Sequence, residues 1–415
     1  MVATALGEAA RAAVGSACEV REATGDDAVD GTPAGLVARP ADTSEVAEVM
    51  RASAAHGLSV VSRGAGTKLA WCPPPESADL VLDLTAMDRV LDHQAGDLIV
   101  EAEAGTPLAA VRSVVGEQGQ RLVVDETTPG ATVGGSLAAH ASGPERMLAG
   151  TARDLLIGMT VVRADGVVAR SGGRVVKNVA GYDLGKLLVG SFGTLGVITR
   201  ATFRLHPAAE TERWVSVPVA DADAVHRLTH AVVHAQVVPA AVEVDLGGPA
   251  RDAASGSFTV QLGGRATGVT RRADAVAHLL GGGAEVAQNA PDGWGRYPWA
   301  PDEVGLKLTC VLSGLRDVVA AAAGAGARVR GSAGSGVLYA ALPVTAAGGV
   351  VAAVDRLRAT CVARGGSAVV LQAPPDVERS CDPWGPVPAL DLMRRVKERF
   401  DPDRRMAPGR FVGGI

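Results

Sequence analysis

The chain has 415 residues, 47% hydrophobic and 20% charged, with 40 Lys+Arg against 45 Asp+Glu for a net charge of −5. This is the balance of a water-compatible protein long enough for more than one domain. Its mild acidity and 3% aromatic content exclude a basic or base-stacking nucleic-acid surface. No apolar run approaches the ~18 residues of a membrane span, and Glu8 and Arg11 interrupt the N-terminal stretch where a secretory leader needs unbroken apolar residues. The five cysteines are scattered without a C-x-x-C pair, so no metal site, no cysteine-held cluster and no membrane span is expected, and the chain reads as cytoplasmic, reaching a membrane only through partners.

In chain order, Leu36–Pro40 predicts a short strand closed by proline. Asp42 and Glu45 form a helix-start signature ahead of Val46, Val49, Met50 and Ala54 on one face, and His56-Gly57 stops that helix. Leu58–Ser62 is the next strand and runs straight into a glycine turn, completing a strand–helix–strand unit. Strands follow at Leu80–Leu84, Asp97–Glu103, Gly158–Val162, Val167–Arg170 and Ala201–Leu205, with a Lys177-Asn178 turn and a helix from about Tyr182 between the last two. His206-Pro207 marks a boundary. Beyond it, strands at Trp214–Val219, Val242–Asp245, Phe258–Leu262, Gly305–Leu312 and Gly336–Leu342 interleave with helices at Asp221–Val238, Thr270–Leu280 and Val344–Arg364. That texture predicts an α+β fold in three parts: a domain over 1–207, a cap over 208–373, and a tail over 374–415 that carries the helix Val387–Phe400 and returns to the first domain.

Glycine, at 52 residues, concentrates where a phosphate would need bare backbone. The G-x-G-x-x-G string of nicotinamide-type folds is absent in context, since Gly324-Ala-Gly326 and Gly334-Ser-Gly336 lack the third glycine, and no P-loop string occurs. Two other tracts stand out. Arg63–Leu69 follows a strand directly, and Thr128–Gly150 offers several glycines with Thr132, Ser136 and Ser142 as short donors. Either alone is an ordinary turn; together, in this order, they predict two main-chain cradles closing on one dinucleotide.

The stretches Ser62-Arg-Gly-Ala-Gly-Thr-Lys-Leu69, Ala131-Thr-Val-Gly-Gly135 and Gly190-Ser-Phe-Gly-Thr-Leu-Gly-Val-Ile198 resemble the three FAD-binding signatures of vanillyl-alcohol-oxidase-type (PCMH-type) flavoproteins. Within that group the chain is similar to the FAD-binding E subunit of bacterial glycolate oxidase, through Gly64–Trp71, Gly173–Leu184, Phe203–Pro207 and the terminal Asp401-Pro and Pro408–Phe411. The resemblance implies a two-subdomain PCMH-type FAD-binding domain with a C-terminal α+β cap. It also implies an FAD held by Arg63, Gly64, Ala65, Gly66, Thr67 and Lys68 at the pyrophosphate, by Thr128, Pro129, Gly130, Thr132, Gly134, Gly135, Ser142 and Gly143 along pyrophosphate and ribityl, and by Gly193, Thr194, Gly196, Val197 and Ile198 near adenine and phosphate. Some relatives attach the flavin through a histidine beside the first loop; residues 62–70 contain none, so noncovalent FAD is expected, with His140 either close to the cofactor or one layer behind it.

Oxidising a small 2-hydroxy acid on a flavin requires a base for the hydroxyl proton and a cation for the carboxylate. Lys177 and Tyr182, in the Lys-Asn-Val-Ala-Gly-Tyr-Asp segment, and the terminal Arg410 are the catalytic candidates. Arg296, Lys307, Arg330, Arg404 and Arg405 are further cations that read first as surface charges. His226, His230 and His234 share a helical face, but without a carboxylate or cysteine cluster they read as a solvated or partner-facing stripe. The His-rich C-terminal metal motif of the related D subunit is missing, because no histidine follows His278. The likeness therefore implies an assembly with a second flavin subunit and an iron–sulfur subunit. The rival readings are a stand-alone flavin oxidase of another hydroxy acid, alcohol or sugar lactone, a non-catalytic FAD-holding scaffold, and an NADPH-dependent reductase of the enolpyruvyl-sugar type.

Overall fold

A computed structural model describes residues 7–174, 182–247, 256–344 and 347–415 of the chain. They form two units, one of Met1–Ala141, Thr151–Pro207 and Val387–Ile415, the other of Ser142–Gly150 and Ala208–Pro386. Two boundaries differ from the sequence expectation. The tail returns to the first unit at Val387 rather than at 374, because Val377 and Cys381 are buried in the core of the second unit and Arg358 Nη2 donates to the Asp382 carbonyl at 2.6 Å. The segment 142–150 also folds with the second unit.

In the first unit a four-stranded sheet runs in the order Glu19–Glu22, Ala34–Arg39, Ala78–Asp83, Val60–Arg63. The helix Thr43–Ala55 follows Ala34–Arg39, and its start is written locally: Asp42 accepts from the Ser44 and Glu45 amides at 2.7 and 3.0 Å, while Glu45 reaches back to the Ala41 amide at 2.7 Å. Val46, Val49 and Met50 are fully buried on one face, and Gly57 turns the chain at φ +65°. The strands on either side of this helix are not neighbours. Ala78–Asp83 inserts between them and runs parallel to both. A five-stranded antiparallel sheet follows, centred on Val197–Arg204 between Ile99–Glu103 and Leu156–Val162. The helix predicted from Tyr182 is the short Gly185–Leu188.

The tail is fastened to this unit by charged groups in its interior. Lys397, on the helix Leu390–Phe400, pairs with Asp401 at 2.8 Å and donates to the carbonyls of Thr194 and Met406 at 2.8 and 3.0 Å. Asp401 in turn accepts from the Arg405 and Met406 amides. Arg405 donates to Leu58 and Ala164 carbonyls, and the Val60 amide donates to the Arg405 carbonyl at 2.8 Å, which sets residues 405–407 beside the strand that feeds the first glycine loop. Arg405, expected as a surface charge, and Arg410, expected as a catalytic cation, are both buried.

The second unit is an eight-stranded antiparallel sheet in the order Glu285–Ala287, Thr211–Val219, Gly256–Gly264, Ala241–Leu246, Arg328–Ser332, Val337–Leu342, Val304–Thr309, Ala368–Gln372. Alternation sorts each strand onto two faces. Val242, Val244, Val260, Leu306, Leu308, Leu338 and Ala340 join the apolar core with helices Ala222–Val233, Ala266–Leu280 and Leu315–Gly324. Glu243, Thr259, Lys307, Arg330 and Tyr339 occupy the alternate positions. The helix Leu315–Gly324 and the strands Arg328–Ser332 and Ala368–Gln372 carry no pattern singled out above; the helix is a run of alanines whose Leu315, Val318, Val319 and Ala322 face inward. No helix among the described residues is long and apolar enough to cross a membrane.

Candidate flavin site

The strand Val60–Arg63 delivers the chain to the loop 64–68 at the rim of a cleft of about 550 Å3. Its walls are this loop, Thr132, Gly135, Ala138 and Ala139 of the second tract, Phe192 and Gly193 of the third, and Arg410 of the tail. An adjoining space of about 380 Å3 shares Ser62, Arg63, Gly64, Gly135, Ala138 and Gly193 and continues past Gly134, Gly196 and Ile198. The two cradles predicted from the sequence therefore border one cavity.

Each glycine there has a steric reason. A Cβ on Gly64 would lie 2.2 Å from Thr132 Oγ1, one on Gly134 2.7 Å from Ala104 Cβ, and one on Gly193 2.9 Å from Ser62 Oγ, where φ is +75°. Gly66 stands at φ +74° with only Leu69 and Arg63 side chains near. The walls differ in what they present. The amides of Gly64, Ala65, Gly66 and Thr67 donate to no other described residue. The N-terminus of the helix Val133–Ala138 is already satisfied: Val133 donates to the Thr106 carbonyl, Gly134 to Ala104, and Gly135 to the Thr132 hydroxyl. The first tract supplies hydrogen-bond donors, and the second supplies room.

Charge is arranged behind this surface. The Arg63 guanidinium turns away from the loop to Asp27 at 3.1 Å and Asp83 at 2.8 Å. Asp27 is held far below the usual carboxylate range, first by its bond from Arg21 and also by Arg63. What Arg63 offers the cleft is main chain and stem. Lys68 borders the cleft with its ammonium 5.9 Å from the Trp71 ring; burial pushes its pKa down to about 8, against the pull of Glu126. Arg410 donates to the Leu69 and Trp71 carbonyls at 2.7 and 2.5 Å and so ties the tail to the end of the first loop.

Of the expected cofactor residues, Arg63, Gly64, Ala65, Gly66, Thr67, Lys68, Thr132, Gly134, Gly135, Gly193, Gly196 and Ile198 border the cavity. Thr128, Pro129, Gly130, Thr194 and Val197 do not. Pro129 and Gly130 are exposed in the approach to Thr132. Thr194 is buried with its hydroxyl on the Ser191 carbonyl, and Val197 is a buried strand residue. Ser142 and Gly143 fold with the second unit. Among the catalytic candidates, Arg410 is at the cleft, Tyr182 is 92% exposed, and Lys177 lies outside the described residues. His140 Nε2 is bonded to Thr151 Oγ1 at 3.1 Å and does not border the cleft. Ala138, Ala139, Leu84 and Ala104 also border the cavity; the small residues after Gly135 hint at the first two, and nothing local in the sequence marks Leu84 or Ala104. No group of His, Cys, Asp or Glu among the described residues is arranged to hold a metal ion, and His230 and His234 stack on each other, ring centroids 4.0 Å apart.

A glycine-walled cleft with a row of unengaged amides has the donors that phosphate groups need, and residues 34–172 match the family model described as "FAD binding domain". The chain thus contains an FAD-binding domain of the PCMH type, and its cofactor is FAD. Over 208 residues it is 31% identical to glycolate oxidase subunit GlcD of Bacillus subtilis, covering 50% of this chain and 44% of that protein. Over 105 residues it is 41% identical to glycolate oxidase subunit GlcE of Escherichia coli, covering 25% and 30%. It is 31% identical over 183 residues to a D-lactate dehydrogenase of Archaeoglobus fulgidus, covering 44% and 41%. The matched stretches span less than half of each relative. A solved structure of an alkyldihydroxyacetonephosphate synthase shares the fold over 92% of this chain and 77% of its own, at a TM-score of 0.67 and 17% identity.

Proposed function

We propose that this chain is an FAD-dependent oxidoreductase subunit of the glycolate oxidase type, acting on the CH–OH group of a small 2-hydroxy acid and passing the electrons to a second flavin subunit and an iron–sulfur subunit. The observation that carries the reading is the meeting of Gly64–Lys68 and Thr132–Gly135 around one cavity, with glycines at the points where any side chain would intrude. The amides of Gly64–Thr67 would hold the pyrophosphate, and protonated Lys68 would add a charge to it. Gly134, Gly135 and Gly193 would let the dinucleotide lie against the backbone, and with no histidine in 62–70 it would be held noncovalently. FAD supplies the two-electron acceptor that no side chain can provide. Arg410 would position the first loop from behind through its two carbonyl bonds.

Support for the 2-hydroxy-acid class comes from the relatives' names, which include glycolate oxidase subunits and a D-lactate dehydrogenase. The subunit reading is favoured over stand-alone turnover by the likeness to GlcE together with the missing His-rich C-terminal motif. The test is an anaerobic titration of the purified yellow protein with glycolate, D-lactate, L-lactate and NADPH. Reduction by a hydroxy acid, alone or once partner subunits are added, supports the reading. Reduction by NADPH alone would replace it with the reductase.

A further inference from the structure

The loop Gly64–Lys68 has little of its own to hold its shape. Gly64 and Gly66 have no side chains to anchor, the amides of Gly64–Thr67 donate to no other described residue, and the Thr67 hydroxyl is met by Lys68 Nζ at 3.4 Å. Its geometry is therefore set at its two ends, and an arginine stands at each. At the far end Arg410 grips the Leu69 and Trp71 carbonyls. At the near end is Arg63, the last residue of the strand that feeds the loop. Alternation puts Arg63 on the face of Val61, and Asp83, its partner in register on the neighbouring strand, on the face of Val81. That face is covered by the segment between the strands Glu19–Glu22 and Ala34–Arg39, whose Val29 packs with Val37, Val61 and Val81. The same segment brings Asp27, 3% exposed, to Arg63. Nη1 of Arg63 donates to Asp27 Oδ1 at 3.1 Å and Nη2 to Asp83 Oδ2 at 2.8 Å, so the guanidinium fork is spread between two carboxylates. Neither carboxylate is free to move with it. Asp27 accepts from both terminal nitrogens of Arg21, each at 2.7 Å, and from the Thr24 amide at 2.9 Å. Asp83 accepts from the Thr85 amide and hydroxyl at 3.0 and 2.6 Å.

An arginine at the entry to a phosphate loop can act through its charge or through its anchorage. The charge of Arg63 is already matched twice inside the protein, and what is left is a strand end whose side chain cannot turn. We propose that Asp27 and Asp83 are positioning residues for the cofactor: by fixing Arg63 they fix the direction in which the chain enters Gly64, and with it the aim of the Gly64–Thr67 amides. The inference rests on the pyrophosphate lying at those amides, as proposed above. Order present before FAD arrives is not paid for again on binding, so the benefit appears as cofactor affinity. The two roles of Arg63 predict opposite signs. If the guanidinium itself neutralised phosphate, removing a competing carboxylate would free it and tighten FAD binding. If it anchors the loop, the same change loosens the loop and weakens FAD binding.

The test titrates the deflavinated full chain with FAD, read by quenching of flavin fluorescence, and takes an unfolding midpoint for each variant without FAD. Asp27→Asn and Asp83→Asn each remove a charge while keeping the side-chain shape, and each should weaken FAD binding by about tenfold. Arg63→Lys keeps the charge but cannot span both carboxylates, and should weaken FAD binding as much as Arg63→Met. Asp27→Asn added to Arg63→Met should cost little more affinity than Arg63→Met alone. Arg21→Met is the control. It takes from Asp27 its other arginine, whose side chain is 52% exposed, and should lower the unfolding midpoint with FAD affinity close to wild type. Unchanged or tightened FAD binding in either Asn variant, or full affinity in Arg63→Lys, would overturn the proposal. An equal loss in Arg21→Met would do so too, by showing general damage in place of loop placement. If Asp27→Asn does not fold, Asp83→Asn and Arg63→Lys decide alone. Gly64→Val separates this inference from the reading beneath it. Flavin retained by Gly64→Val moves the pyrophosphate elsewhere, whatever the aspartates do. Flavin lost in Gly64→Val but held at full affinity in the Asn variants sinks the positioning pair and leaves the cleft standing.

Discussion

Each unit places a lysine against its sheet or tail, Lys397 buried and Lys307 half-buried, and the two are treated in opposite ways. Lys397 of the first unit has a carboxylate at 2.8 Å and two carbonyls within 3.0 Å; Lys307 of the second has another cation nearby and no described partner. The first arrangement is a fastening. Its charges cancel inside the protein, and the cleft beside it is walled by backbone with Lys68 at its border. The second is a half-exposed ammonium that water still reaches. A lysine taken fully out of water comes with its counter-ion, and one that keeps contact with water does without.

This contrast can be broken most forcefully at Asp401. Asp401→Asn leaves Lys397 buried and uncompensated and should cost about 3–5 kcal/mol in denaturant unfolding, whereas Lys307→Met should cost nothing. Equal losses at both positions would erase the distinction. Next, Gly64→Val drives a side chain into Thr132 and should abolish FAD retention while lowering stability by about 1–3 kcal/mol; absorbance at the flavin bands reports the first effect and denaturation the second. Pairing Gly64→Ala with Thr132→Ala should recover part of the loss seen for Gly64→Ala alone, after allowing about 1 kcal/mol for the lost helix cap. Lys68→Met should weaken FAD binding by about tenfold. In the wild type, FAD affinity should fall as pH rises above about 8, where the free enzyme's Lys68 loses its proton; a flat profile would remove Lys68 from the cofactor site. The smallest effect is on stability. Burial, and after it the charge of Arg146, pushes the Lys307 ammonium down to about 8, below the ~10.4 of an unperturbed lysine. The unfolded chain therefore binds more protons between those values, and stability rises with pH across that window. Lys307→Met should flatten part of that rise in pH-dependent unfolding.

What could be read beforehand follows from how local each signal is. The Asp42 cap, the stop at Gly57 and the glycines at 64, 66, 134 and 135 are written in neighbouring residues, so the first unit's cleft was legible as two tracts. The engagement of Arg63 by Asp27 and Asp83, the burial of Arg405 and the Lys397–Asp401 clamp on Thr194 join distant parts of the chain, and no periodicity announces them. Thr194 and Val197 fall inside a recognisable motif yet are buried away from the cavity, Val197 as the first residue of a buried strand and Thr194 with its hydroxyl on the Ser191 carbonyl. Lys307 looked like one cation among several. Only the alternation of a strand in register with Tyr339 shows which face of the sheet it takes.

FAD stoichiometry in purified wild type and Gly64→Val, read from absorbance against protein concentration under matched conditions, tests the central claim most directly. The account predicts about one FAD per wild-type chain and none in a Gly64→Val protein that still folds cooperatively. A Gly64→Val protein with its full complement of flavin would place the dinucleotide somewhere other than between Gly64–Lys68 and Thr132–Gly135.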